Sequence, residues 1–177
     1  MNILEIFTNS ILLIITLDNE LWDIILLSLF VSFTALIIAS LLGFIVGYHF
    51  AIYNFYFKKI ILIIINSLMG IPPVVVGLIV YFIFASGGPL GILQLLYTPS
   101  AMIIAQTIII FPIIASLSHE IFSKNWFEFK DQIRSLNIPF WGSVKLLFNH
   151  SYFLLITTLL SAFGRAISEV GAVMIVG

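Results

Sequence analysis

From Ile24 to Tyr48 the chain carries no charged residue, and the same is true of Ile60–Ala85 and Pro99–Ser118. Such runs decide what the chain can become. In water they have no polar face to turn outward. In a bilayer, about 20 mostly apolar residues form a spanning helix that satisfies its own backbone. A fourth stretch, Ser151–Val176, is interrupted only by Arg165 and Glu169. The chain is 62% hydrophobic and 8% charged, where a soluble domain carries roughly a quarter charged residues. The expected fold is all-α, a polytopic transmembrane helix bundle of about four full spans. A shorter run within residues 3–17 is expected to form an N-terminal interfacial helix, with a fifth span as the alternative. Residues 1–177 read as a single transmembrane domain.

The connections set an orientation. Lys58 and Lys59 lie between the first and second runs, and Lys124, Lys130, Arg134 and Lys145 between the third and fourth. Ser86–Thr98 is uncharged, and the segment before the first run carries Asp18, Glu20 and Asp23. The excess of Lys and Arg places the two basic connections in the cytoplasm and the other two outside. The N-terminus has neither the basic region nor the small-residue cleavage site of a signal peptide. A net charge of −1 gives no field to attract nucleic acid. There is no cysteine, and His49, His119 and His150 show no metal-ligand spacing.

The connection over residues 124–150 is long for a link between two spans, and long connections are often functional. Within it Trp126, Phe129, Ile133, Leu136 and Phe140 recur at spacings of three and four, which predicts an amphipathic helix. That helix is expected to end near Asn137, because Pro139 disfavours helical geometry before it. A separate short helix is expected over Trp141–Phe148. Periodicity leaves open a surface-lying helix and a helix that docks on a cytoplasmic partner.

The order of residues here resembles the cytoplasmic loop motif of permeases from binding-protein-dependent importers of the ATP-binding-cassette class. Asp131 stands at that motif's Glu position and Asn137 at its Gly position, while Gln132-Ile133 replace two alanines and His150 stands where Pro is usual. Asn for Gly is physically mild, since both enter the left-handed region that ends helices. Asn66-Ser67-Leu68-Met69-Gly70-Ile71-Pro72-Pro73, Ser86-Gly87-Gly88-Pro89-Leu90-Gly91 and Phe163-Gly164-Arg165-Ala166-Ile167-Ser168-Glu169-Val170-Gly171-Ala172 are similar to molybdate- and tungstate-type permeases, with tungstate the nearest.

The resemblance implies a membrane-embedded permease of a prokaryotic cytoplasmic (inner) membrane, importing an oxyanion such as tungstate or molybdate. Sulfate, another small solute, and a non-transporting scaffold are the alternatives. It implies a homodimer, an ATP-binding-cassette subunit that carries ATP and Mg, and an extracytoplasmic substrate-binding protein. Phe129, Asp131, Arg134, Ser135, Leu136, Asn137 and Trp141 would couple to the ATP-binding subunit. Family members continue with a further external loop and span, so the family's final span is expected to be missing here. The chain has no glycine-rich phosphate loop followed by Lys and Ser or Thr, so catalysis is expected on another chain. No cofactor or metal is expected on this one.

Several residues inside the runs are candidates for a translocation path or gate. Pro72 and Pro73, flanked by Gly70 and Gly77, interrupt a helix at membrane depth, which suits either a path or a simple kink. Pro112 reads as a kink. Arg165 and Glu169 are four residues apart, one helical face, and pairing lowers the cost of holding them in the membrane. Arg165 beside an anion path and a structural ion pair both remain open. Asn66, Ser67, Gln106 and Thr107 are expected to hydrogen-bond between helices. Gly43, Gly47, Gly164 and Gly171 are expected to permit close helix approach.

Overall fold

The computed structural model describes residues 19–177, so the expected interfacial helix at residues 3–17 lies outside the described residues. Among the described residues six α-helices follow one another: α1 (Asn19–Ile52), α2 (Lys58–Leu68), α3 (Pro73–Phe84), α4 (Pro99–Ser135), α5 (Phe140–Ser168) and α6 (Val170–Val176). No strand occurs among the described residues. α1, α4 and α5 are each long and apolar enough to cross a membrane. The protein is a multi-pass helical membrane protein, as the charge-free runs require.

The second run is not one straight span. α2 and α3 meet at 102° across Met69–Pro72. The cause is local. Neither proline offers an amide hydrogen, and a residue before proline is driven out of the helical region. Pro72, which precedes Pro73, accordingly sits at φ −60°, ψ 130°. Its carbonyl accepts from Val75 N–H at 2.9 Å and starts α3, with Pro73 in the first turn, where its lost donor costs nothing.

The third run does not stop where its apolar residues stop. α4 continues from Pro99 through Pro112 to Ser135, 37 residues in all. At 1.5 Å per residue it is about 55 Å long, against a hydrocarbon core of about 30 Å. The amphipathic segment is therefore the far end of this rod. It ends in a reciprocal cap. Asn137, at φ 48°, donates its N–H to Arg134 O at 3.1 Å, and Ile138 N–H reaches Ile133 O at 3.0 Å. This is the Schellman closure, with Asn in the left-handed position. The expected separate helix at Trp141–Phe148 is instead the beginning of α5. Nothing breaks the chain after Pro139, which serves as the N-cap. The fourth run, expected as one span, divides at Glu169, whose φ −87°, ψ 85° lie outside the helix.

α1 and α4 pack through small residues. Val31, Ala35, Ala39, Gly43, Gly47 and Ala51 recur every four residues along α1 and are all buried. A Cβ at Gly43 would meet Ile114 Cγ2 at 2.8 Å, and one at Gly47 would overlap Ser118 Oγ. Small residues are what allow such approach where lipid supplies no hydrophobic drive. Ser118 Oγ also donates to Gly43 O at 3.2 Å. Gly77 faces Ala172 in the same manner, joining α3 to α6. Gly164 does not follow this pattern: it is exposed, with open space around it. Gly47→Leu is expected to destabilise by about 3 kcal/mol, whereas Gly164→Leu should stay within about 0.5 kcal/mol. Thermal unfolding in detergent compares the two.

Candidate functional site

The break between α2 and α3 does not face a packed wall. It borders a cavity of about 350 Å³ whose lining includes Met69, Ile71 and Val76 from around the break, Thr107 and Pro112 from α4, and Arg165 from α5. The α2–α3 break and Pro112, inside the continuous α4, thus meet at one space. Pro112 cannot donate to Ile108 O, and Ile108 lines the same cavity. Freed backbone at membrane depth is tolerated where it borders protein or a water-lined cavity. Gly70, Pro72 and Pro73, expected on the path, are not among the lining residues, whereas their neighbours Met69 and Ile71 are.

Arg165 is the charged residue of that lining, and Thr107 adds a hydroxyl. The remainder is apolar, which strengthens the interaction of the guanidinium with any charge placed beside it. Arg165 Nε lies 2.8 Å from Glu169 Oε1, with the arginine side chain 41% exposed and the glutamate 10%. Glu169 belongs to a second cavity of about 260 Å³, beside Ser28, Ser32 and Gln106. The ion pair therefore joins two spaces. Gln106 is buried, donates Nε2–H to Ala166 O at 3.2 Å, and leaves Oε1 unpartnered.

The polar residues expected to link helices divide evenly. Gln106 does so, and Asn66 accepts from Ser116 Oγ at 2.6 Å. Thr107 and Ser67 bond instead to their own helices, at Ile103 O and Ile63 O. For Thr107 and Ser67 the expectation of a bond between helices does not hold, because a hydroxyl in a helix reads alike whichever way it faces; Thr107 lies on the cavity wall.

At the opposite feature, the turn between α4 and α5, the predicted coupling residues separate into two groups. Phe129 is half-buried and stacks edge-on to the His150 ring at 4.7 Å. With Trp126 it packs on a cluster built from Tyr48, Phe122, Leu147 and Leu155. Asp131, Arg134, Ser135, Leu136, Asn137 and Trp141 are exposed. Leu136 is 72% and Trp141 77% exposed, with Phe140 beside them at 50%. Phe127, on the polar side of the sequence period, is exposed as well, with Lys130 Nζ 4.6 Å above its ring. An aromatic on a polar face was the available signal for it.

A helix bundle with a broken span, an ion-paired arginine on a cavity wall and an apolar-tipped turn between α4 and α5 has identifiable relatives. The sequence is 38% identical over 175 residues to the tungstate uptake system permease protein TupB of Peptoclostridium acidaminophilum, covering 99% of this chain and 77% of that protein. The chain belongs to the ABC transporter permease family. The permease is also 33% identical over 172 residues to TupB of Campylobacter jejuni, covering 97% of this chain and 72% of that one. A protein of Haloferax volcanii named "Probable anion ABC transporter permease protein" shares 37% identity over 150 residues, 85% of this chain and 65% of its own length. No family model matches the sequence. As a permease subunit of this family, the chain is a multi-pass protein of the cytoplasmic membrane.

Proposed function

We propose that the permease carries tungstate inward as the membrane subunit of an ATP-driven importer. Two copies would enclose the path, with Arg165 of each beside it. An ATP-binding-cassette subunit holding ATP and Mg would sit under the α4–α5 turn, and an external binding protein would deliver the anion. The observation that carries an anion path is the cavity at the broken span, whose lining charge is a single guanidinium. The names of two relatives support tungstate as cargo.

The lever follows from stiffness. α4 is continuous from its outer end to the exposed turn, so displacement at the turn reaches Pro112 and the cavity without being absorbed in a loop. In this reading residues 124–150 are cytoplasmic, and the turn moves with the ATP-binding subunits. The reading is tested by tungstate uptake in cells expressing the permease with its candidate ATP-binding and binding proteins. Tungstate uptake that requires the permease supports it. Uptake of sulfate instead of tungstate would reassign the cargo, and co-purification without any uptake would favour a scaffold.

A further inference from the structure

We infer that Gln106 and Ser116 are positioning residues, two hydrogen-bond pins through which α4 moves the walls of the path. The inference rests on the lever reading above and names the contacts that carry the displacement onward. The two residues flank the stretch of α4 on the first cavity, which runs from Thr107 to Pro112. Gln106 is 4% and Ser116 6% exposed. Each makes a bond to another helix. Gln106 donates Nε2–H to Ala166 O at 3.2 Å, and Ser116 donates Oγ–H to Asn66 Oδ1 at 2.6 Å. Ala166 lies between Arg165 of the first cavity and Ile167 of the second. Asn66 takes Met69 N–H on its own carbonyl at 3.3 Å, and Met69 lines the first cavity. One pin therefore ends on the α5 wall and the other on the α2–α3 wall.

Neither bond is needed to satisfy its acceptor. Ala166 O already accepts from Glu169 N–H at 3.3 Å, and Asn66 is exposed. Burying Gln106 leaves its Oε1 without a partner, so an apolar side chain of the same shape would be the cheaper occupant. What the pins supply is position. Apolar contact has little directional preference, whereas a hydrogen bond has a preferred length and angle. Both pins end at weak points of their helices. The first is the end of α5, where Glu169 leaves helical geometry. The second is the last turn of α2 before the 102° bend. Pro112 lies between the pins inside α4 and removes one helical bond there, so the two pins can shift by different amounts.

The chain has no cysteine, so a single introduced one reports alone. Met69→Cys places it on the α2–α3 wall and Ile167→Cys on the α5 wall. The assay is the rate at which a water-soluble thiol reagent labels the permease, assembled with its ATP-binding subunit, with and without a non-hydrolysable ATP analogue. The analogue is expected to change each rate about 10-fold. Gln106→Leu should reduce the change at Ile167→Cys to within about 2-fold and leave Met69→Cys responding, and Ser116→Ala should do the reverse. Both variants should keep unfolding midpoints within about 4 °C of the parent. Normal responses at both probes in both variants would overturn the inference, as would loss of both responses in either one. If neither probe responds in the assembled parent protein, the lever reading itself is wrong and the inference falls with it.

Discussion

Arg165→Gln is expected to lower ATP-driven tungstate uptake by about 100-fold while the protein still reaches the membrane. The size follows from what is removed. Charge-assisted hydrogen bonds contribute about 1.5–3 kcal/mol each, and here they act in a cavity with otherwise uncharged walls. The substitution also strands Glu169, which is 10% exposed. Breaking a fully buried pair costs about 3–5 kcal/mol. Because Arg165 is 41% exposed, about 2 kcal/mol is the better expectation here. The two effects are separable. Arg165→Gln combined with Glu169→Gln leaves no orphaned carboxylate, so it should regain most of the thermal stability and none of the transport. Recovery of uptake in the double variant would mean that Arg165 serves only to neutralise Glu169. Unfolding midpoints in detergent and uptake of labelled tungstate, measured on the same preparations, decide between the roles.

Trp141→Glu is expected to uncouple the importer, reducing uptake about 30-fold or more while insertion and fold are retained. Trp141 is 77% exposed at the α4–α5 turn, so little intramolecular packing is lost when it is replaced. A buried aromatic anchor at an interface is worth about 2 kcal/mol or more, and a carboxylate in its place must also be desolvated. Leu136→Glu, one residue before the left-handed Asn137, should act in the same direction. Phe129→Glu is a different experiment. Phe129 packs on the Tyr48–Phe122–Leu147 cluster and against His150, so it should lower the unfolding midpoint as well as uptake. Co-purification of the ATP-binding subunit with each variant distinguishes lost docking from lost folding. Trp141→Glu that co-purifies and transports normally would remove the turn from the coupling contact.

The helices α1 and α4 were legible because charge-free runs longer than a bilayer leave a chain few alternatives. Their ends were less so. Hydropathy falls at His119–Lys124, yet the helix continues, because a change of solvent alters which residues are exposed without breaking any backbone hydrogen bond. The turn at Asn137 could be read, since Pro139 and an Asn able to adopt positive φ both mark it. Pro72-Pro73 announced an interruption, but adjacent prolines are compatible with either a mild kink or the 102° bend found. The end of α5 at Ser168 carried no signal, for Glu169 is an ordinary helix former and its departure from the helix depends on tertiary packing. A period of three and four placed Phe129 and Leu136 on one face. It could not say that the first is turned into the chain's own core and the second left open. The pairing of Arg165 with Glu169 was readable from spacing, and its position between two cavities was not, since those walls come from α1, α2, α3 and α4 together.

The most direct test is ATP hydrolysis in proteoliposomes containing the permease and its ATP-binding subunit, with purified binding protein added empty or loaded with tungstate. The account predicts that the loaded protein stimulates hydrolysis several-fold over the empty one, and that Trp141→Glu removes the stimulation. An assembled complex whose hydrolysis is indifferent to tungstate-loaded binding protein would contradict it.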